Sequence, residues 1–450
     1  MSNKSQNTTL SVVNFSGRDI TTTTVTDLDP YDWDYSKEGG RTDPFRPDLN
    51  FTGPLDNLNA RCEREEINAS ANGVNFDLTF YFGNDWIRFH VDQAAANNKF
   101  AGAQASDSSA GCRDLEVYRI TGTDGDHIVN NAFYIRPKQR LDNSTWMARL
   151  IAKAPHLKLN QITMPGSHDA GMYIDNSSKV DNSRGESGGG EWALTQHLSI
   201  GEQLQAGVRY FDLRVYNDNS NVQWAFHGSY HGNFYGAFGG PFEDIFSDIQ
   251  SFMNGQGAGE AVFLRITSYQ GHENLQKTID RFNHYLGDFL FTPATPASKF
   301  AETPISELKG KVIPMFTAEF ASVLTAGMYQ YSDYAVENPK HTINTLPVGT
   351  GPTVFDLYAD ENAFADMQSN QQAKLTTYGG YGKEYLFLYS WTITGATGGV
   401  LDLDLLSGTA NAQLPKELHR LARGGGTLPN IVHVDQAEPY LCQAIIALNG

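Results

Sequence analysis

Cysteine is scarce, with only Cys62, Cys112 and Cys442 in 450 residues. Their spacing matches no zinc pattern, and so few thiols exclude a disulfide framework as the source of stability. Cys62 and Cys112 could bridge within the N-terminal region; the expectation is that they are reduced and buried. No apolar run approaches the roughly 18 residues a membrane span needs, which excludes a spanning helix. Basic residues are also short, 33 Lys and Arg against 51 Asp and Glu for a formal charge of -18. That balance excludes a nucleic-acid partner and bulk adsorption to anionic lipid, while leaving room for a local basic pocket. The stretch Met1 to Thr9 lacks the apolar core of a secretory signal, so the expectation is a cytoplasmic protein, with transient membrane association or leaderless secretion left open. The acidic stretch Asp27-Leu-Asp-Pro-Tyr-Asp-Trp-Asp34 lacks the glycine and terminal glutamate of an EF-hand, and a solvated loop is expected there. Nothing in the sequence signals an oligomeric state.

What the chain does have is ample core material, 40% hydrophobic and 12% aromatic residues, in a length that suits two domains. Residues 1–145 read as all-β. Val74, Phe76, Leu78, Phe80 and Phe82 alternate with polar or smaller residues up to Gly83-Asn84-Asp85, and Ile87, Phe89 and Val91 resume the pattern, which predicts a hairpin. Leu115–Ile120 and Asn131–Ile135 add strands, and a β-sandwich is the expected closure.

From 146 to 450 short apolar runs alternate with helix-period segments. The runs are 161–164, 208–215, 223–226, 262–267, 312–316, 353–357, 385–390 and 431–434; helical spacing appears from Phe242 to Met253 and from Leu275 to Leu286. Such alternation predicts parallel strands with right-handed crossovers. Eight runs predict an α/β fold of the (β/α)8 barrel type, with some irregularity. A doubly wound sheet is the rival, but no Gly-x-Gly-x-x-Gly follows the first strand.

In a parallel barrel the C-terminal strand ends share one mouth. The first run ends in His168-Asp169, the second carries Asp212 and Arg214 on one face, the third ends in His227-Gly228, the fourth carries Arg265, the sixth Asp356 and Tyr358, and the eighth ends in His433-Val-Asp435. Singly, each has a plain structural reading as a bonded histidine, a buried pair, a core aromatic or a helix cap. Together at one rim they read as a site, because a packed core does not require charges at successive strand ends. His231 is a fallback for the acid, and Ser177 to Glu191 reads as a rim loop or a surface insertion.

These motifs resemble the X-type catalytic domain of phosphatidylinositol-specific phospholipase C, and are most similar to the small bacterial enzymes. The resemblance rests on Met164-Pro-Gly-Ser-His-Asp-Ala-Gly171, Gly207-Val-Arg-Tyr-Phe-Asp-Leu-Arg214 and Phe226-His-Gly228, with support from Phe355-Asp-Leu-Tyr358 and Val432-His-Val-Asp435. It covers about residues 150 to 450. It implies that His168 takes the proton from the inositol 2-hydroxyl with Asp435 orienting it, and that His227 protonates the leaving oxygen with help from Asp169. Arg214 would hold the phosphate, with Asp212 keeping it in place. Arg265, Asp356 and Tyr358 would meet the headgroup. An arginine at position 214 marks the metal-independent members, so no metal or other cofactor is expected. Where the bacterial enzymes place a further basic contact this chain runs to Thr317, which leaves a same-fold phosphodiesterase for another headgroup, with or without a divalent ion, as an alternative. The other is a lectin-like or membrane-binding protein that works through its β-rich half. The partner implied is a phospholipid headgroup at a membrane surface.

Overall fold

The computed structural model describes residues 6–450 except 15, 27–32, 38–40, 45–53, 56–58, 68–73, 95–98, 101–104, 124–128, 139–140, 181–184, 188–192, 231–233, 269–273, 293–299, 334–350 and 395–402. Most of the acidic stretch from Asp27, His231, and much of the segment from Ser177 to Glu191 lie outside the described residues. The chain divides into two compact units, one of 1–141 with 362–364 and 408–420, the other of 142–361, 365–407 and 421–450.

The first unit holds two sheets. One has six strands in the order 115–123, 129–137, 6–14, 59–67, 33–37, 41–44, antiparallel except where 6–14 meets 129–137. The other is built on the hairpin expected from alternation: Val74–Phe82 pairs with Asp85–Ala94 through a turn in which Gly83 takes φ +70°. Among the described residues, Leu78, Phe80, Ile87 and Phe89 are the hairpin's buried apolar side chains. Phe89 meets Phe133 of the first sheet with 4.6 Å between ring centroids. Cys112 is a buried free thiol here, as Cys442 is in the second unit; the Cys62 side chain is outside the described residues.

The second unit is an α/β barrel whose parallel strands are β1 (Met164–Ser167), β2 (Tyr210–Asn217), β3 (Ala261–Ser268), β4 (Lys311–Phe316), β5 (Tyr329–Gln330 and Ser332–Asp333), β6 (Thr353–Phe355), β7 (Leu386–Trp391) and β8 (Ile431–Val434). Each pairs in parallel with the next, β5 touching β4 through its first half and β6 through its second, and β8 returns to β1. Helices α1 (Trp146–Lys153), α2 (Ile200–Ala206), α3 (Phe242–Asn254), α4 (Leu275–Leu286) and α5 (Phe364–Tyr378) belong to this unit, apart from the first residue of α5. The crossover from β4 to β5 has only a 3-10 turn, Ala318–Phe320, as the expected irregularity. None of the described helices is long and apolar enough to cross a membrane.

One strand assignment is corrected. The run 223–226 is not the third barrel strand but part of Gln223–Tyr230, which pairs antiparallel with the end of β2 and with Phe234–Pro241. The reason is length: only residues 218–222 separate it from β2, whereas a parallel crossover needs about a dozen. The strand that takes its place in the circuit is β5, polar and short, without an apolar run to announce it.

Period-two alternation inside the barrel sorts the chemistry by height. Tyr210, Phe263 and Ile431 belong to one buried apolar cluster with Met164, Ile313 and Leu388. Two residues further along their strands stand Asp212, Arg265 and His433, and four further along β2 stands Arg214. The apolar floor therefore ends where the charges begin.

Beneath the floor a buried ion pair anchors α1. Glu260 and Arg209 are both fully buried and bonded through Nε at 2.9 Å and a terminal nitrogen at 2.6 Å. Glu260 also accepts from the backbone N–H groups of Met147 and Ala148 at the first turn of α1, and Arg209 donates to Ser144 O. Gly207, at φ +112°, ends α2 and turns the chain into β2; a Cβ there would lie 2.9 Å from Asn143 Cβ and Ile446 Cδ1. Breaking such a pair by removing one partner costs about 3–5 kcal/mol. Glu260→Ala is therefore expected to lose stability of that order in urea unfolding, and a loss below about 1 kcal/mol would contradict the anchoring role.

Candidate active site

Two histidines, each on its own carboxylate, face one arginine at the mouth. His168 follows β1 directly, and its Nδ1 meets Asp435 Oδ1 at 2.7 Å, just past the end of β8. Asp169 has φ +40°, a left-handed turn that sends its buried carboxylate away from Asp435. That carboxylate binds His227 Nδ1 with one oxygen and Arg214 Nε with the other. Arg214 reaches Asp212 at 3.3 Å and His168 Nε2 at 3.2 Å. The rings of His168 and His227 stand edge to face, 6.4 Å between centroids.

The charges follow from this packing. Burial works most strongly against a charged His168, but the carboxylates of Asp169 and Asp435 outweigh it and raise the imidazolium to about 9. Burial pushes the Asp169 carboxyl up, yet Arg214 and then His168 and His227 hold it well below the usual carboxylate range. His433 lies beneath His168 at 5.4 Å between rings. Burial first, then the charge on His168, drives it down to about 4, so it stays neutral.

A second cluster lies beside the first. Arg265 bonds Asp356 at 3.0 Å and Asp212 at 3.5 Å, and its guanidinium sits 4.8 Å over the Tyr331 ring. Tyr331 donates its hydroxyl to Asp356 at 2.7 Å. Burial raises the Asp356 carboxyl, but Arg265 and that hydroxyl hold it below its ordinary value. Asp212 thus links the two clusters.

His168, Asp169 and Asp212 also offer ligand atoms within 4.8 Å of one another, a grouping of metal-binding type. Arg214 contacts all three, so its guanidinium already supplies cationic charge to the donors a metal would use.

No family model matches the chain. PI-PLC X domain-containing protein 2 of Mus musculus is 34% identical over 102 residues, 19% of this chain and 30% of that protein. The Homo sapiens protein of the same name is 37% identical over 86 residues, 16% of this chain and 28% of that protein. PI-PLC X domain-containing protein 3 of Danio rerio matches longer, 28% identical over 173 residues, covering 34% and 51%. The curated relatives are PI-PLC X-domain proteins. In each case the match spans about half of the relative or less. Among solved structures, phosphatidylinositol-specific phospholipase C from Listeria monocytogenes is 16% identical with a TM-score of 0.47, covering 69% of this chain and 100% of that one. The Staphylococcus aureus enzyme is 16% identical with a TM-score of 0.48, covering 69% and 98%.

The geometry brings together all six residues assigned to the X-domain chemistry, including His227, although it arrives on the hairpin rather than at a barrel strand end. Arg265 and Asp356 are joined as a pair next to them. Tyr358 lies three residues past β6 and is 43% exposed. Thr317 follows β4 and brings no charge; its hydroxyl lies 3.4 Å from Ile266 O. Sequence reasoning missed Tyr331, because its strand was missed, and treated His433 only as a neighbour of Asp435. The Tyr329-Gln-Tyr331 alternation was the available signal for the first. The two-residue spacing from His433 to Asp435 was the signal for the second.

Proposed function

We propose that this chain is a phosphatidylinositol-specific phospholipase C-like phosphodiesterase that cleaves the glycerol-phosphate bond of phosphatidylinositol or its glycosylated forms. One observation carries the reading: two histidines with separate carboxylate partners flank an arginine. A phosphate on Arg214 would have an imidazole on each side, one for the attacking and one for the departing oxygen.

With Nδ1 donated to Asp435, neutral His168 presents the Nε2 lone pair and takes the proton from the 2-hydroxyl of the headgroup. That oxygen attacks phosphorus, and the glycerol oxygen leaves with a proton from Nε2 of His227, whose Nδ1 is held by Asp169. The product is diacylglycerol and a cyclic 1,2-phosphodiester, favoured because the nucleophile is part of the same molecule. Arg214 stabilises the charge that builds on the phosphoryl oxygens, and Asp169 and Asp212 hold its fork in place. Arg265, Asp356 and Tyr358 serve the headgroup. Arg214 would stand in for a metal, so the reaction needs none.

The uncharged Thr317 and the His168, Asp169 and Asp212 grouping favour a second reading, a phosphodiesterase for another headgroup that uses a divalent ion. Phosphorus NMR of the protein with phosphatidylinositol vesicles, and separately with phosphatidylcholine and phosphatidylethanolamine, with and without chelator, separates the two. A cyclic phosphate signal from phosphatidylinositol that survives chelator is the expected result. Loss of that signal with chelator rejects metal independence, and turnover of another lipid alone rejects the headgroup. The all-β region, 1–145, would be a membrane- or glycan-targeting module. Sedimentation with the same vesicles tests that role: no lipid turnover together with binding by 1–145 alone would point to a non-enzymatic protein.

A further inference from the structure

The His168–Asp435 contact joins two loops that each contain a left-handed residue, Asp169 at φ +40° after β1 and Gln436 at φ +49° after β8. Side-chain-bearing residues hold that conformation only where the surroundings fix it. A short buried segment between α2 and the rim does so. Thr195 donates its hydroxyl to Asp169 O, and its own carbonyl accepts from Gln436 N, so the same residue holds both turns. Gln196 is fully buried and binds both loops: Nε2 donates to His168 O at 2.9 Å and to Val434 O at 3.2 Å, while Oε1 accepts from Ala437 N at 2.9 Å. Its backbone N–H bonds Met172 O. Two donors and one acceptor of a single side chain are thus spent on the backbone of the loops that carry His168 and Asp435. A residue needed only to fill space would not require an amide here.

We propose that Gln196, with Thr195 beside it, is a positioning residue that sets the His168–Asp435 contact and through it the proton acceptor of the reaction. This rests on the reading of His168 as that acceptor. Gln196 touches neither imidazole nor carboxylate; it acts by fixing where their backbones lie. Loss of the amide leaves His168 O and Ala437 N to find new partners, while Val434 O keeps its bond from His168 N, and of the two residues that brace both loops only Thr195 remains. Small errors at a reacting atom cost up to about a hundredfold in rate.

The test is Gln196→Met, which keeps length and removes every polar contact of the side chain. In the full-length protein kcat on phosphatidylinositol is expected to fall roughly 10- to 100-fold with KM within about twofold. In the same variant, without substrate, the midpoint of the His168 ring followed by NMR should fall relative to that measured in the unsubstituted protein, where the Asp169 and Asp435 carboxylates raise it. The groups facing that ring are Asp169, Asp435, Arg214, His227 and His433, all unchanged in the variant, so a fall reports a longer contact with Asp435. Thr195→Val and Thr195→Ser form a milder pair that decides the matter if Gln196→Met does not fold: the valine should shift the midpoint and the serine, which keeps the hydroxyl, should not. A folded Gln196→Met with unchanged kcat and an unchanged His168 midpoint overturns the proposal, as does a fall in kcat with that midpoint unmoved. If the unsubstituted protein turns over no phospholipid, the phosphodiesterase reading fails separately, and the substrate-free titration still decides what Gln196 does.

Discussion

His168→Ala is expected to lower turnover of phosphatidylinositol by about two to four orders of magnitude, the range contributed by a positioned acid or base. Far-UV circular dichroism should not change, because the side chain stands at the rim and reaches only Asp435 and groups of the same site. Two pH dependences follow from the proton that Asp169 and Asp435 hold on this ring. The acceptor must be neutral, so kcat/KM of the intact protein should climb from pH 6 towards pH 9 as His168 loses its proton. Stability runs the other way. A folded-state value raised from about 6.5 contributes stability that is complete below the unfolded value and lost as pH rises through about 9. The variant should therefore be less stable than the parent at pH 6 and equal to it above pH 9, measured by urea unfolding at both. Near-normal turnover in a folded His168→Ala would end the proposed mechanism.

Arg214→Gln should have the second largest effect, about 10²- to 10³-fold on kcat, as expected when a preorganised donor to a developing oxyanion is lost. The arginine carries more than charge. Its Nε is engaged with Asp169, which also holds His227, and a terminal nitrogen bonds Asp212, which also meets Arg265. Arg214→Lys keeps the charge but cannot fork across both carboxylates, so it should recover only part of the loss. Steady-state kinetics on the three proteins checks the order. A glutamine variant within about threefold of the parent would remove Arg214 from the reaction.

The barrel was legible wherever apolar runs carried it: β8 coincides with its predicted run, and β3, β4 and β7 lie within a residue of theirs at each end. The candidate site was legible because His168-Asp169, Asp212-x-Arg214 and His433-Val-Asp435 are each local in sequence, and strand geometry alone places them at one rim. Two features resisted reading for a shared reason. β5 has the composition of a loop, and the hairpin strand 223–230 has the composition of a core strand, so hydrophobicity exchanged their places. Loop length would have corrected the second, since residues 218–222 cannot return a chain to parallel. Gln196 was not legible at all: its significance lies in three backbone groups from two loops, and His168 and Asp435, which those loops carry, are 267 residues apart.

The hairpin that brings His227 to Asp169 is not one of the barrel's own strands, so in the proposed mechanism acceptor and donor are mounted differently. The proposed proton acceptor, His168, is mounted between β1 and β8, each of which is paired on both sides. The proposed proton donor, His227, is mounted on an added arm that pairs with the last part of β2 and is also tied to the chain after β1, where Gly240 N donates to Gly171 O and Asn176 donates to Phe238 O and Gly239 O. Because Asp169 holds His227 and Arg214 together and its charge acts on His168, reshaping the arm would change the departure of the alcohol and the strength of the attacking base together.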